Sequence, residues 1–118
     1  MKVGDYVRTY HLGGSIEKII EIVPKERTDD LIERYITDIS AKYMQSITAE
    51  QIIKSSPNII DLIEAGDYVN GYRITTIGSN GIYAEDENGY LIKMFTKEDI
   101  KSIVTKERFE SMEYKVGE

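Results

Sequence analysis

The residues best able to do chemistry fall in a few short stretches. His11 stands just before Gly13-Gly14-Ser15, where an imidazole beside a tight turn could act as a general base or a ligand. Catalysis there needs an oriented nucleophile, and metal binding needs several ligands at matched spacing. Neither accompanies this single histidine, so a loop histidine is expected. Gly13-Gly14-Ser15 continues into Ile16-Glu17 and lacks the Gly-Lys-Ser/Thr ending of a phosphate loop, which leaves a hairpin turn. Glu85-Asp86-Glu87-Asn88-Gly89 carries oxygen ligands that suit Ca²⁺, but not the alternating register with glycine sixth and glutamate twelfth. A solvated hairpin tip is the expectation. No catalytic, metal-binding or cofactor-binding residue is assigned, and the chain is expected not to be an enzyme.

Tyrosine is the more informative group. The 118 residues include nine Tyr against two Phe and no Trp or Cys. Without Cys there is no disulfide framework, thiolate nucleophile or Cys-ligated zinc. Tyr6 and Tyr68 sit in a repeated motif, and Tyr72, Tyr83 and Tyr90 lie among polar neighbours on predicted strands. Such tyrosines either line a peptide-binding groove, as in SH3-like barrels, or replace the missing Phe and Trp in the core. The candidate partner-binding set is Tyr35, Tyr43, Tyr72, Tyr83 and Tyr90 with the charged residues Arg27, Asp29 and Asp30.

Charge narrows the partners. The net charge is −6, with −1 in residues 1–57 and −5 in residues 58–118, and no dense Lys/Arg cluster exists. A phosphate backbone repels such a surface, so nucleic acid is disfavoured as a partner. No apolar run approaches the roughly 20 residues of a membrane helix, and the Met1 end does not read as a signal peptide. A protein partner remains, and a homodimer is also consistent with the composition.

These side chains must be positioned by elements, and an internal repeat indicates which. Gly4-Asp5-Tyr6-Val7 recurs as Gly66-Asp67-Tyr68-Val69, and Ile47-Thr48-Ala49-Glu50-Gln51-Ile52 resembles Phe95-Thr96-Lys97-Glu98-Asp99-Ile100. Asp5 to Thr48 spans 43 residues and Asp67 to Thr96 spans 29, which predicts related modules with an insertion in the first. In the second module Asn70-Gly71, Asn80-Gly81 and Asn88-Gly89 mark hairpin turns. Strands are expected over 72–77, 82–85 and 90–95, with Ile82, Ala84, Ile92 and Met94 inward. A capped turn at 96–99, a strand over 101–105 and a helix from Thr105 to Met112, with Phe109 and Met112 on one face, complete it. Residues 113–118 would add an edge strand or fray.

The first module follows with strands over 5–9 and 16–23, a charged loop or helix start at 25–30, and the stretch 31–44. Leu31, Ile32, Tyr35, Ile36 and Ile39 fit helical spacing, whereas 35–39 also fits a strand; the repeat favours a strand over 34–39. Ser56-Pro57 before an Ile-rich run ending at Gly66 predicts a linker helix over 57–64. The expected fold is mainly β, tandem SH3-like small barrels joined by a short helix. The modules are 1–56, with an insertion near 24–34, and 66–118, with 57–65 as linker.

Residues 55–118, from Ser-Ser-Pro-Asn-Ile-Ile-Asp-Leu-Ile-Glu-Ala-Gly-Asp-Tyr-Val-Asn-Gly-Tyr to the closing Glu-Asp-Ile-Lys-Ser-Ile-Val-Thr-Lys-Glu-Arg-Phe-Glu-Ser-Met-Glu-Tyr-Lys-Val, resemble the C-terminal half of a family of small proteins encoded by phages and prophages of low-GC Gram-positive bacteria. The opening Met-Lys-Val-Gly-Asp-Tyr-Val-Arg-Thr is also similar to that family's start, while residues 10–54 depart from it. The resemblance implies an accessory gene acting in the bacterial cytoplasm, and carries over no activity or cofactor. The expected function is occupation of a surface on a host or phage protein, with inhibitors of host defence such as anti-CRISPR proteins as the analogy. The alternatives are a nucleic-acid-binding module, a small-molecule sponge or hydrolase, and a virion component.

Overall fold

The computed structural model describes residues 1–79 and 81–112. It is mainly β, with three small antiparallel sheets and one short α-helix, and no sheet closes on itself among the described residues. The chain divides into two compact units: residues 1–11 with 15–62, and residues 12–14 with those from 63 on.

In the first unit, β1 (Tyr6–Thr9), β2 (Ser15–Val23), β3 (Arg34–Thr37) and β4 (Ile52–Ser56) form one sheet in the order β3-β2-β1-β4. Its apolar core is Val7, Ile19, Tyr35 and Ile47, with Ile22 and Ile52 packed against it. The second unit has β5 (Tyr68–Val69), β6 (Tyr72–Arg73), β7 (Thr76–Gly78), β8 (Gly81–Glu85), β9 (Leu91–Phe95), β10 (Ile103–Val104) and α1 (Lys106–Met112). Its sheets are β10-β5-β6 and β7-β8-β9, and its buried apolar residues are Ile63, Val69, Ile74, Ile82, Ala84 and Phe95.

The repeated motif reappears as repeated hydrogen bonding. Gly4 N–H donates to Ile19 O (2.8 Å) and Ile19 N–H to Asp5 O (2.9 Å); Gly66 N–H donates to Ile74 O and Ile74 N–H to Asp67 O, both 2.7 Å. Gly4 and Gly66 share the left-handed region at φ +98° and +100°, where a Cβ is disfavoured. Each aspartate accepts the backbone N–H three residues earlier: Lys2 to Asp5 at 2.9 Å and Glu64 to Asp67 at 2.8 Å. Thr48 and Thr96 both open capped 3₁₀ turns. Seven residues beyond each threonine, Ser55 pairs with Val7 and Ile103 with Val69.

The repeat also locates the extra length. Asp5 to Ile19 covers 14 residues where Asp67 to Ile74 covers 7. Tyr35 bridges Ile47 as Ile82 pairs with Phe95, and Ile19 to Tyr35 covers 16 residues where Ile74 to Ile82 covers 8. The additional residues therefore divide between the β1–β2 and β2–β3 connections, and are not confined to 24–34.

Several expectations need correction. The two-turn helix over 57–64 is a single 3₁₀ turn, Ile59–Leu62. Ser56 Oγ does accept Asn58 N–H (3.1 Å) as a cap would, but Asn58 Oδ1 accepts Ile60 N–H (3.2 Å) and restarts the turn two residues later. The predicted strand over 72–77 is interrupted at Ile74-Thr75, where Ile74 turns into the core. Ile92 and Met94 are not inward. Buried Ile82 pairs with Phe95, which turns Phe95 inward and sets Met94 across from Tyr83 on the outer face; a bulge opposite Ala84-Glu85 follows, and Leu91, Ile92, Lys93 and Met94 are exposed. For 31–44 the strand reading holds as β3, followed by a 3₁₀ turn over Ser40–Tyr43. Asn80, the Met112 side chain and residues 113–118 lie outside the described residues, with the turn, packing and tail expectations placed on them.

Candidate functional site

The first unit buries a polar cluster where β1 and β2 meet. Ser15, Glu17 and Ile19 share the inner face of β2, so two polar side chains stand where apolar ones are expected. Glu17 Oε2 accepts His11 Nδ1–H at 2.9 Å and the Ser15 hydroxyl, with Thr9 Oγ1 at 3.4 Å, while its Oε1 accepts the Thr37 hydroxyl. His11 Nε2 lies 2.9 Å from Gln45 Oε1. In a nucleophilic triad the histidine stands between hydroxyl and carboxylate. Here the carboxylate stands between Ser15 and His11, so the imidazole has no hydrogen bond to the Ser15 hydroxyl. The arrangement satisfies a buried carboxylate with donors, which is what a stable polar core requires. His11 is thus part of this buried cluster and not a free loop side chain.

The exposed chemistry of this unit is on the β2–β3 connection. Pro24 ends β2, and Lys25–Arg27 forms one 3₁₀ turn. Thr28 then ties the loop together. Its hydroxyl lies 3.0 Å from Lys25 O and 2.9 Å from Ile32 O, and accepts Ile32 N–H at 3.0 Å. Arg34 forms an ion pair with Asp30, and that hydrogen bond holds the Asp30 carboxyl below the ordinary carboxylate range. On this braced loop Leu31 adopts φ +58° and is 69% exposed. A non-glycine residue in that region is strained by roughly 1–2 kcal/mol, and an exposed leucine there gains little burial in return. Ile32 beside it is 48% exposed.

Two shallow depressions adjoin the tip. One, about 420 Å³, is lined by Arg27, Thr28, Asp29, Asp30 and Arg34. The other, about 450 Å³, is lined by Ile32, Glu33, Tyr35, Thr48, Ala49 and Glu50. Tyr35 donates its hydroxyl proton to Glu33, and that bond pushes its pKa up to about 12. The same unit also exposes Tyr43 and, in the left-handed conformation closing the 3₁₀ turn, Met44 at φ +55° and 96% exposure.

The candidate residues thus fall into separate groups. Arg27, Asp29 and Asp30 share the β2–β3 loop; Tyr35 is a core residue whose phenol reaches the larger depression; Tyr43 is exposed beside Met44. Tyr72, Tyr83 and Tyr90 belong to the second unit. Tyr72 packs on Phe95 at 5.8 Å, Tyr83 is half-buried on β8, and Tyr90 is exposed beside the Leu91–Met94 edge. Reasoning from charge and aromaticity missed Leu31, Ile32 and Met44. Their signal was present as apolar residues next to loop residues, but only the backbone shows that two of them are held in a conformation suited to glycine.

Among the described residues no group of three or more His, Asp or Glu is placed to hold a metal ion, and no helix is long and apolar enough to cross a membrane. No family model, curated protein or solved structure matches the chain.

Proposed function

We propose that this chain is a non-enzymatic binding protein of phage or prophage origin, acting in the bacterial cytoplasm by occupying a surface of a host or phage protein. Within that class, inhibition of a host defence system, as anti-CRISPR proteins do, is the setting implied by the phage resemblance. Its scaffold is two SH3-like β modules. The support is a shared plan: in each unit the first strand pairs with the last, β1 with β4 and β5 with β10, and a capped 3₁₀ turn precedes that last strand.

The observation that carries the functional reading is Leu31, an exposed leucine kept in a glycine-type conformation on a loop braced by Thr28 and the Asp30–Arg34 pair. Strain combined with an exposed apolar side chain lowers stability without a structural return, a pattern typical of recognition sites. Affinity capture from host lysate, comparing the intact chain with Leu31→Glu and with a deletion of 25–33, tests it. Both changes should abolish recovery of the partner while circular dichroism shows a folded chain. Unchanged capture by the deletion would refute the role of the loop.

A further inference from the structure

The larger depression on the first unit indicates what the partner must present. Ile32, Tyr35 and Ala49 give it an apolar lining, and Glu33 and Glu50 add two carboxylates. Arg34, the cation next to Glu33 in sequence, is committed to Asp30. Glu50 has no hydrogen-bond or ion-pair partner among the described residues, and Glu33 accepts only the Tyr35 hydroxyl through Oε1, leaving Oε2 unused. Apolar walls with unneutralised carboxylates suit a side chain that is apolar along its stem and cationic at its head. Arginine fits better than lysine, because its planar fork can engage carboxylate oxygens in pairs and is more weakly hydrated.

Resting on the binding reading above, we propose that this depression receives an arginine side chain of the partner protein. The stem lies along Ile32 and Ala49, and the guanidinium reaches Glu33 and Glu50. Leu31 at the loop tip supplies a separate apolar contact to the same partner. The Tyr35–Glu33 bond orients the Glu33 carboxylate, so Tyr35 acts here as a positioning residue.

The probe is the blocked peptide acetyl-Ala-Leu-Arg-Leu-Ala-amide, titrated into the ¹⁵N-labelled full chain. A peptide with citrulline in place of arginine keeps the shape and removes the charge. Amide shifts should concentrate at Glu33, Tyr35 and 48–50. The dissociation constant should rise at least fivefold with citrulline, or with the double variant Glu33→Gln/Glu50→Gln, which leaves the loop intact. At pH 11, where the guanidinium stays charged, the arginine peptide should also increase Tyr35 ionisation by partly neutralising Glu33. Absent shifts, shifts elsewhere, or equal affinity for citrulline would overturn the proposal. Failure here with capture still lost in Leu31→Glu removes the arginine pocket alone; peptide binding with capture intact in Leu31→Glu removes the loop reading instead.

Discussion

Replacing Leu31 by glycine separates the conformation of the loop tip from its side chain. A left-handed non-glycine residue is strained by roughly 1–2 kcal/mol, while glycine adds roughly 0.5–1 kcal/mol of unfolded-chain entropy to be lost. Met44→Gly reads this difference cleanly, because at 96% exposure the methionine has almost no burial to forfeit. It should stabilise the chain by about 0.5–1 kcal/mol. Leu31 is 69% exposed, so truncation forfeits about a third of a leucine's burial, roughly 0.5–1 kcal/mol, and Leu31→Gly should be close to neutral. Ile32 lies next door without a positive φ and is 48% exposed; there the entropy and burial terms add, and Ile32→Gly should cost about 1.5–2.5 kcal/mol. Urea unfolding of the three variants at constant slope measures all of these. Equal losses for Leu31→Gly and Ile32→Gly would show that no strain is stored at the tip. If Leu31→Gly is neutral and also abolishes partner capture, the leucine is retained for contact and not for folding.

Other perturbations probe the scaffold. Glu17→Ala leaves buried donors from His11, Ser15 and Thr37 without their acceptor and should cost roughly 3–5 kcal/mol in urea unfolding, with Glu17→Gln well below that. Asp67 is buried and accepts Glu64 and Lys106 N–H at 2.8 and 2.9 Å, so Asp67→Ala should cost about 2–4 kcal/mol. Asp5→Ala removes an exposed bond and should cost less than about 1 kcal/mol, despite the identical motif. Tyr35 should ionise near pH 12, because Glu33 holds its proton. The raised value stabilises the folded state below pH 10 and is lost as pH rises through 12, so the wild-type minus Tyr35→Phe absorbance difference at 295 nm should appear only in that last interval. Glu33→Gln should bring it earlier.

What could be read from sequence followed from local rules. Gly-Asp repeats because a left-handed glycine followed by an aspartate that accepts the backbone N–H three residues before it is a self-contained turn, and both copies form it. Thr48 and Thr96 cap turns for the same reason. The failures were non-local. Alternation placed Ile92 and Met94 inward, but its phase is set by the pairing of Phe95 with Ile82 and by a bulge opposite Ala84-Glu85, which sequence does not display. The helix expected over 57–64 is a local exception, because the Asn58 side chain accepts Ile60 N–H and starts a single turn there. Glu17 alternates like any strand residue, and only the donors brought by His11, Thr37 and Ser15 explain its burial.

The comparison between the units separates shared scaffold from added length more sharply than either unit alone. Positions that carry the scaffold correspond: Val7 with Val69, Ile19 with Ile74, Ile47 with Phe95, all buried. The extra length of the first unit lies in two connections, and each holds a feature the second unit lacks. The β1–β2 connection contributes His11, which with Ser15 donates to the buried Glu17. The β2–β3 connection brings Leu31, Ile32 and the Asp30–Arg34 pair. His11 and Ser15 from the first addition are spent inside the unit, where they replace apolar packing with a hydrogen-bonded network. The second ends in an exposed, strained leucine beside two unneutralised carboxylates. The addition that folds inward is explained by stability; the one that faces outward at a cost in strain is where the proposed partner would bind.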